Sequence, residues 1–367
     1  LAWLGIAETV FINFIKKRSE IMKSQLSLNE LAQKLTDQKS LKKDYVVESS
    51  NLRFYSNGSN QLHLQEIDQV FDVNDVALNQ ITTKVGLSKK YTDKMLDGHK
   101  TLLQDNINYW FTNTPKSQMI RTLGDTARAV LSDKYKRVDN DMIAEQVLPI
   151  LLDKEYDIKS CAITDTKMYI KASLPSLQRE VNKGDVVESG VIISNSEVGH
   201  GAVNVSPFIH RLVCMNGMVV NDSRLQSRHL TSSQATIDGV YEVLSDEAKE
   251  LDSRALLTKV RDVVASTSDE MRFEEQVQMM TDASQIKIKR PKKVIELLEN
   301  KFDLTKNEGE SILDNLIDRD DKQPMANLWS VVNSITALGN TMDDYDRGTK
   351  MQEIGGRLLT MPELVAA

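Results

Sequence analysis

Between Asp185 and Val220 the chain alternates short β-branched or apolar runs with glycine-bearing breaks, and this constrains the fold more than any other stretch. The runs are Val186-Val187, Val191-Ile192-Ile193, Ala202–Val205, Phe208–Cys214 and Met218–Val220. Gly199-His200-Gly201 and Asn216-Gly217 separate them, and Asn-Gly is the strongest short-range turn signal. The pattern predicts an antiparallel meander. Upstream, Ile158–Ile163 and Lys167–Ala172 predict a hairpin around Asp165-Thr166.

The regions on either side read differently. Leu28, Leu31 and Leu35 are spaced for a short helix, and Tyr45–Val47, Leu52–Tyr55 and Leu62–Leu64 predict strands, with a turn at Asn57-Gly58. Val73–Thr112 has helical periodicity, Met119–Leu123 predicts a strand, Ala127–Leu131 a short element and Asp141–Leu152 a helix. Beyond Arg228, helical spacing recurs at Ile237–Glu247, Arg254–Val264, Phe273–Met280, Pro291–Lys301, Gly309–Ile317 and Leu328–Met342. The expected class is α+β: an antiparallel β meander core with an α/β N-terminal part and a helical C-terminal part. The expected division is 22–115, 116–235 and 236–367. Residues 1–21 are expected to be a translated leader, because Lys16–Met22 can be encoded by a purine-rich ribosome-binding sequence followed by a start codon.

Charge and cysteine usage narrow the function. A formal net charge of −7 excludes a surface that coats duplex DNA throughout, since phosphate contacts need Lys and Arg, but it leaves room for a local basic groove. Cys161 and Cys214 both stand in apolar segments, which predicts two buried reduced thiols and a cytoplasmic protein without a disulfide framework. The apolar stretch Leu1–Ile15 is too short to span a bilayer, and no membrane partner is expected.

Three stretches resemble the domain of unknown function 932 family, proteins scattered through phages, prophages and plasmids. They are Arg128–Asn140 (RAVLSDKYKRVDN), Gly190–Gly217 (GVIISNSEVGHGAVNVSPFIHRLVCMNG) and Trp329–Leu359, the last with Val332–Thr336, Asp344–Arg347 and Gly355-Gly356. The resemblance runs in order through most of Met22–Leu359 and implies mobile-element DNA biology in a bacterial cell. It implies no particular chemistry.

No phosphate-loop, nucleophile-elbow, zinc-protease or dinucleotide signature is present, so no catalytic residue, cofactor or metal site is expected. Carboxylates at Asp133, Asp139, Asp141 and Glu197 would suit Mg²⁺, but acidic residues this frequent make the pattern uninformative. Ala77–Gly98 has the outline of a helix-turn-helix around Gly86 and Ser88. Thr82 stands where that motif wants a small apolar residue and Thr92 where it wants a β-branched apolar one, so a core-packed helical pair is expected instead.

The favoured partner is single-stranded DNA, which is held by cations on phosphates and aromatics on bases. Arg128, Lys134, Lys136, Arg137 and Arg211 are the expected phosphate contacts and Tyr135 the stacking residue. Lys287, Lys289 and Arg290 add the densest basic run, in which Ile-Lys-Ile-Lys alternation would turn the isoleucines to one side. The expected function is a homo-oligomeric single-strand-binding or annealing protein. The alternative is a non-enzymatic phage interaction or structural protein.

Overall fold

The computed structural model describes residues 26–135, 137–201, 203–220, 246–318 and 326–364. The expected leader, the cations Arg224 and Arg228, and all but the end of the expected helix Ile237–Glu247 lie outside them.

The first helix, α1 (Leu28–Leu41), opens with a capping box: the Ser27 hydroxyl accepts from the Glu30 N–H, and the Glu30 carboxylate accepts from the Ser27 N–H at 2.7 Å. Six strands then build one sheet: β1 (Lys42–Glu48), β2 (Leu52–Asn57), β3 (Ser59–Leu64), β4 (Gln69–Val73), β5 (Ser117–Leu123) and β6 (Thr126–Ser132). Their order is β1-β5-β6-β4-β3-β2, antiparallel except for β4 with β6. Asn57-Gly58 turns β2 into β3, as its composition predicts, with Gly58 at φ 91°. Helices α2 (Asp75–Lys84), α3 (Lys89–Gly98) and α4 (Lys100–Asn113) share a core with this sheet, Leu52, Phe54, Leu62 and Ile120 meeting Ile81, Met95, Ile107 and Phe111. Because β5 and β6 pair beside β1, this sheet continues to Ser132, past the expected division at 115/116.

After α5 (Asn140–Asp153) comes the meander: β7 (Asp157–Ile163), β8 (Met168–Asn182), β9 (Asp185–Asn195), β10 (Asn204–Arg211) and β11 (Asn216–Val219), antiparallel and in chain order. The α+β class holds. Ile170, Ala172, Val191, Ile193 and Ile209 join the larger core with Val147 of α5 and with the C-terminal helices. Those helices are α6 (Asp246–Ser266), α7 (Glu270–Gln285), α8 (Pro291–Phe302), α9 (Lys306–Ile317), α10 (Leu328–Thr341) and α11 (Tyr345–Leu359). Tyr169, Ile192, Phe208 and Val219 point to the other side of the meander and pack with Tyr345, as strand alternation requires.

Three local expectations need correction. Val186-Val187 and Val191–Ile193 are one strand, because the polar Glu188 between them is buried and bonded by Ser173 (2.6 Å) and Gln178 (2.9 Å). Asn216-Gly217 is not the turn: Leu212–Met215 make it, with Met215 at φ 56°, and Asn216 and Gly217 pair with Arg211 and His210. Glycine is needed at 217 for packing, since a Cβ there would stand 2.2 Å from the Phe208 ring. Cys214 therefore lies in an exposed turn, while Cys161 is buried as expected.

Candidate functional site

The segment leaving β9, Asn195–Gly199, is where the two sheets meet. Asn195 donates to the Val138 carbonyl (2.9 Å) and to Asn140 (2.8 Å). The Ser196 hydroxyl donates to the Thr166 carbonyl (2.8 Å) and accepts from the His200 N–H (2.9 Å). Val198 is buried with Val76, Met119, Ala129 and Leu131, and its carbonyl accepts from Gln80, whose own amide oxygen accepts from the Val130 N–H. Gly199 sits at φ 81°, and a Cβ there would come within 2.7 Å of Leu131. Each residue of the run thus has a fixed structural contact.

Glu197 is the electrostatic centre. Its carboxylate accepts from Lys42 (2.6 Å), from the Asn140 N–H (2.6 Å) and from Arg128, while its carbonyl accepts from Arg121 (2.9 Å). The Asp139 side chain does not cap α5, and Glu197 meets the first-turn N–H in its place, with the favourable sign for the helix dipole. Arg121 is 1% exposed, forks onto Asp44 (2.8 and 3.3 Å) and reaches Asp139 (2.6 Å). Asp141 takes Lys42 (3.1 Å) and Lys39 (3.2 Å).

A β-bulge puts Arg128 there. Arg121 faces Ala129 and Thr122 faces Ala127, so Arg128 is the residue without a partner in the ladder and its side chain is re-aimed. Burial pushes the Glu197 carboxyl up, but Arg128, Lys42 and the Asn140 N–H outweigh it and hold the group below its ordinary range. Asp141 follows the same logic, with burial opposed by Lys42 and Lys39.

Carboxylate oxygens of Asp139, Asp141 and Glu197 lie within 4.8 Å of one another, the spacing of a cation site, and all three are among the carboxylates singled out from sequence. Here, however, the Lys42 ammonium bridges Asp141 and Glu197, and Arg121 holds Asp139. Protein cations already supply the charge. What this arrangement does chemically is lock two sheets together.

The expected contact residues are dispersed. Arg128 is tied to Glu197, and Arg137, 59% exposed at its side chain, stands 3.5 Å from Asp44. Tyr135 is half-buried beside Val198 and donates its hydroxyl to the Ser196 carbonyl (3.0 Å), so its ring belongs to the junction. Lys134 is exposed next to it, and Lys136 lies outside the described residues. Arg211 is at the far end of the meander, donating to Asp185 and to Cys214, while Asp185 also accepts from Trp329 (2.8 Å). Asp185 and Asn195 are ten residues apart on β9, roughly 33 Å. The geometry therefore leaves Arg128, Arg211 and Tyr135 occupied.

Lys287, Lys289 and Arg290 are placed otherwise. Ile286 and Ile288 turn inward while Lys287, Lys289, Arg290, Lys292 and Lys293 are exposed, and none of the five makes an ion pair with a described residue. The Ile288 N–H donates to Ala326 (2.7 Å) and the Leu328 N–H to Ile286 (2.9 Å), fixing the run as a short bridge before α8.

Sequence reasoning missed Lys42 and Asp44, which carry no local signal and meet Glu197 and Arg121 only across 155 and 77 residues. A polar group also stands on the side of the meander bearing Phe208. There His210 stands opposite Glu188, Ser173 and Lys159 reach Glu188, and the His210 Nε2 is buried without a hydrogen-bond partner. Burial first, then the Lys159 ammonium, push His210 down to about 4.

A family model described as a domain of unknown function (DUF932) matches residues 127–347, more than half of the chain. No curated protein and no solved structure matches.

Proposed function

The chain belongs to the domain of unknown function 932 family, and for it we propose a non-enzymatic role as a single-stranded-DNA-binding protein of phage or plasmid DNA metabolism. The observation that carries the reading is the strip Lys287–Lys293, five exposed cations without an ion pair among the described residues. A flexible single strand can follow cations set along a short bridge and the first turn of the helix after it, and phosphate contacts of this kind release counterions. Lys134 and Arg137 would add charge on their own surface. An annealing role in recombination, carried out by a homo-oligomer in the bacterial cytoplasm, completes the proposal. No helix among the described residues is long and apolar enough to cross a membrane.

Fluorescence anisotropy with a labelled oligo(dT) tests it. Affinity should fall with salt at a slope of about −0.7 per phosphate contact, and Lys287→Glu with Lys289→Glu and Arg290→Glu should remove binding. A wild-type protein that ignores the oligonucleotide at about 50 mM salt ends the proposal.

One observation favours the alternative, a protein-interaction role. Tyr109 and Trp110 on α4 are 58% and 40% exposed and pack edge to face at 5.2 Å, the kind of aromatic pair that anchors protein interfaces. Trp110→Ala that loses a bound protein, in a chain indifferent to oligonucleotides, would favour it.

A further inference from the structure

Helices α2 and α3 are joined by Val85–Ser88. Gly86 takes φ 79° in this link, and Ser88 caps α3 by accepting from the Tyr91 N–H at 3.3 Å. Thr82 and Thr92 are the two positions at which the sequence departs from a helix-turn-helix. Both are 2% exposed. Thr82 returns its hydroxyl to the Leu78 carbonyl (3.0 Å), leaving its methyl for packing. Thr92 buries a hydroxyl that has no partner, and so occupies a valine's place with a valine's shape. With Leu78, Ile81 and Met95, also buried, the contact positions of the motif are filled.

The rest of α3 faces outward. Thr92 and Met95 fix its inner side, which at 100° per residue sets Lys90, Lys94 and Asp97 opposite and Tyr91 on the flank. Lys89 is paired with Asp93 at 3.2 Å, whereas Lys90 and Lys94 have no ion pair among the described residues. Lys84, Lys89, Lys90, Lys94, Lys100 and Lys116 are all exposed, against three aspartates over the same stretch, in a chain of formal charge −7. Three of these six lysines, Lys89, Lys90 and Lys94, stand on α3 itself.

We propose that α2 and α3 form a helix-turn-helix unit and that α3 docks in the major groove of duplex DNA, with Lys90, Tyr91 and Lys94 in its first turns as the contact residues. In such units the N-terminal part of the second helix meets the base edges while the first helix crosses the backbone. The inference goes beyond single-strand binding by Lys287–Lys293 and does not rest on it.

The test uses the full chain, a labelled random-sequence duplex of about 30 base pairs and a labelled oligo(dT). Lys90→Gln with Lys94→Gln should weaken duplex binding about tenfold or more and reduce the salt slope by about two. Both residues are exposed, so the urea midpoint should stay at the wild-type value. Oligo(dT) binding should be unchanged, and should instead be lost in the Lys287/Lys289/Arg290 variant. Wild-type protein that binds no duplex, or a double variant that binds it normally, overturns the proposal. Equal loss of duplex and oligo(dT) binding in the double variant overturns it as well, because the lysines would then be a generic phosphate surface.

Discussion

At the junction around Glu197, Arg121 is buried, Lys42 and Arg128 are largely covered, and each reaches a carboxylate, whereas Lys287, Lys289 and Arg290 stand in solvent without an ion pair among the described residues. Both regions look basic in the one-letter sequence. The difference lies in what folding brings against them. At the junction the partners come from β1, the start of α5 and the end of β9, so the cations join sheets. Along the strip, the neighbouring backbone is engaged with Ala326 and Leu328, and the charges are left outside. Local density of Lys and Arg is a poor guide to binding unless the carboxylates that will fold against it are known.

The largest effect should come from Glu197→Gln. Neutralising one member of a buried ion pair leaves the others uncompensated, which costs about 3–5 kcal/mol. Urea unfolding should report that loss, and a variant as stable as wild type would break the contrast between the two regions. The pH dependence has a definite sign. Glu197 titrates below its ordinary 4.5 when folded, so its contribution is present above pH 4.5 and disappears as pH falls through the lower folded value. The glutamine variant should lose that part of the acid transition.

His210 sharpens the comparison from a third position, being buried like the junction but lacking a hydrogen bond at Nε2. Its folded value of about 4 lies under the ordinary 6.5, so the neutral ring is the folded form. That contribution is complete above pH 6.5 and is lost as pH falls toward 4, amounting to roughly 3 kcal/mol. His210→Phe should flatten the stability profile between pH 6.5 and 4. An unchanged profile would mean that the acid sensitivity originates elsewhere.

Thr92 offers a smaller effect of opposite direction. Thr92→Val replaces a buried, unpartnered hydroxyl by a methyl of the same shape, and should raise stability by about 1 kcal/mol. A destabilised valine variant would show that the hydroxyl has a partner.

The sequence discloses these regions unequally, for physical reasons. The Ile286–Lys289 alternation was readable because strand geometry is local: inward isoleucines imply outward lysines. Gly199 and Gly201 were readable as turn residues for the same reason, and both take positive φ. Gly217 misled, because a glycine demanded by the Phe208 ring looks identical in sequence to one demanded by a turn. Arg128 is legible as a cation, but the carboxylate it meets is not. The bulge that re-aims it, and the Glu197 that receives it 69 residues later, are products of sheet pairing. Lys42 and Asp44 could not be found from their own neighbourhoods at all.

The smallest effect on stability should come from the strip, and there a near-zero result is informative. Lys287→Glu with Lys289→Glu and Arg290→Glu should change unfolding by no more than about 0.5 kcal/mol, since exposed charges away from ion pairs contribute little to folding. Ile286 and Ile288, which anchor the segment, are untouched. If urea midpoints coincide with wild type while oligo(dT) binding is lost, the strip is a contact surface with no structural task. If the triple variant unfolds readily, the lysines carry fold energy as the junction does. The two regions would then differ in exposure alone.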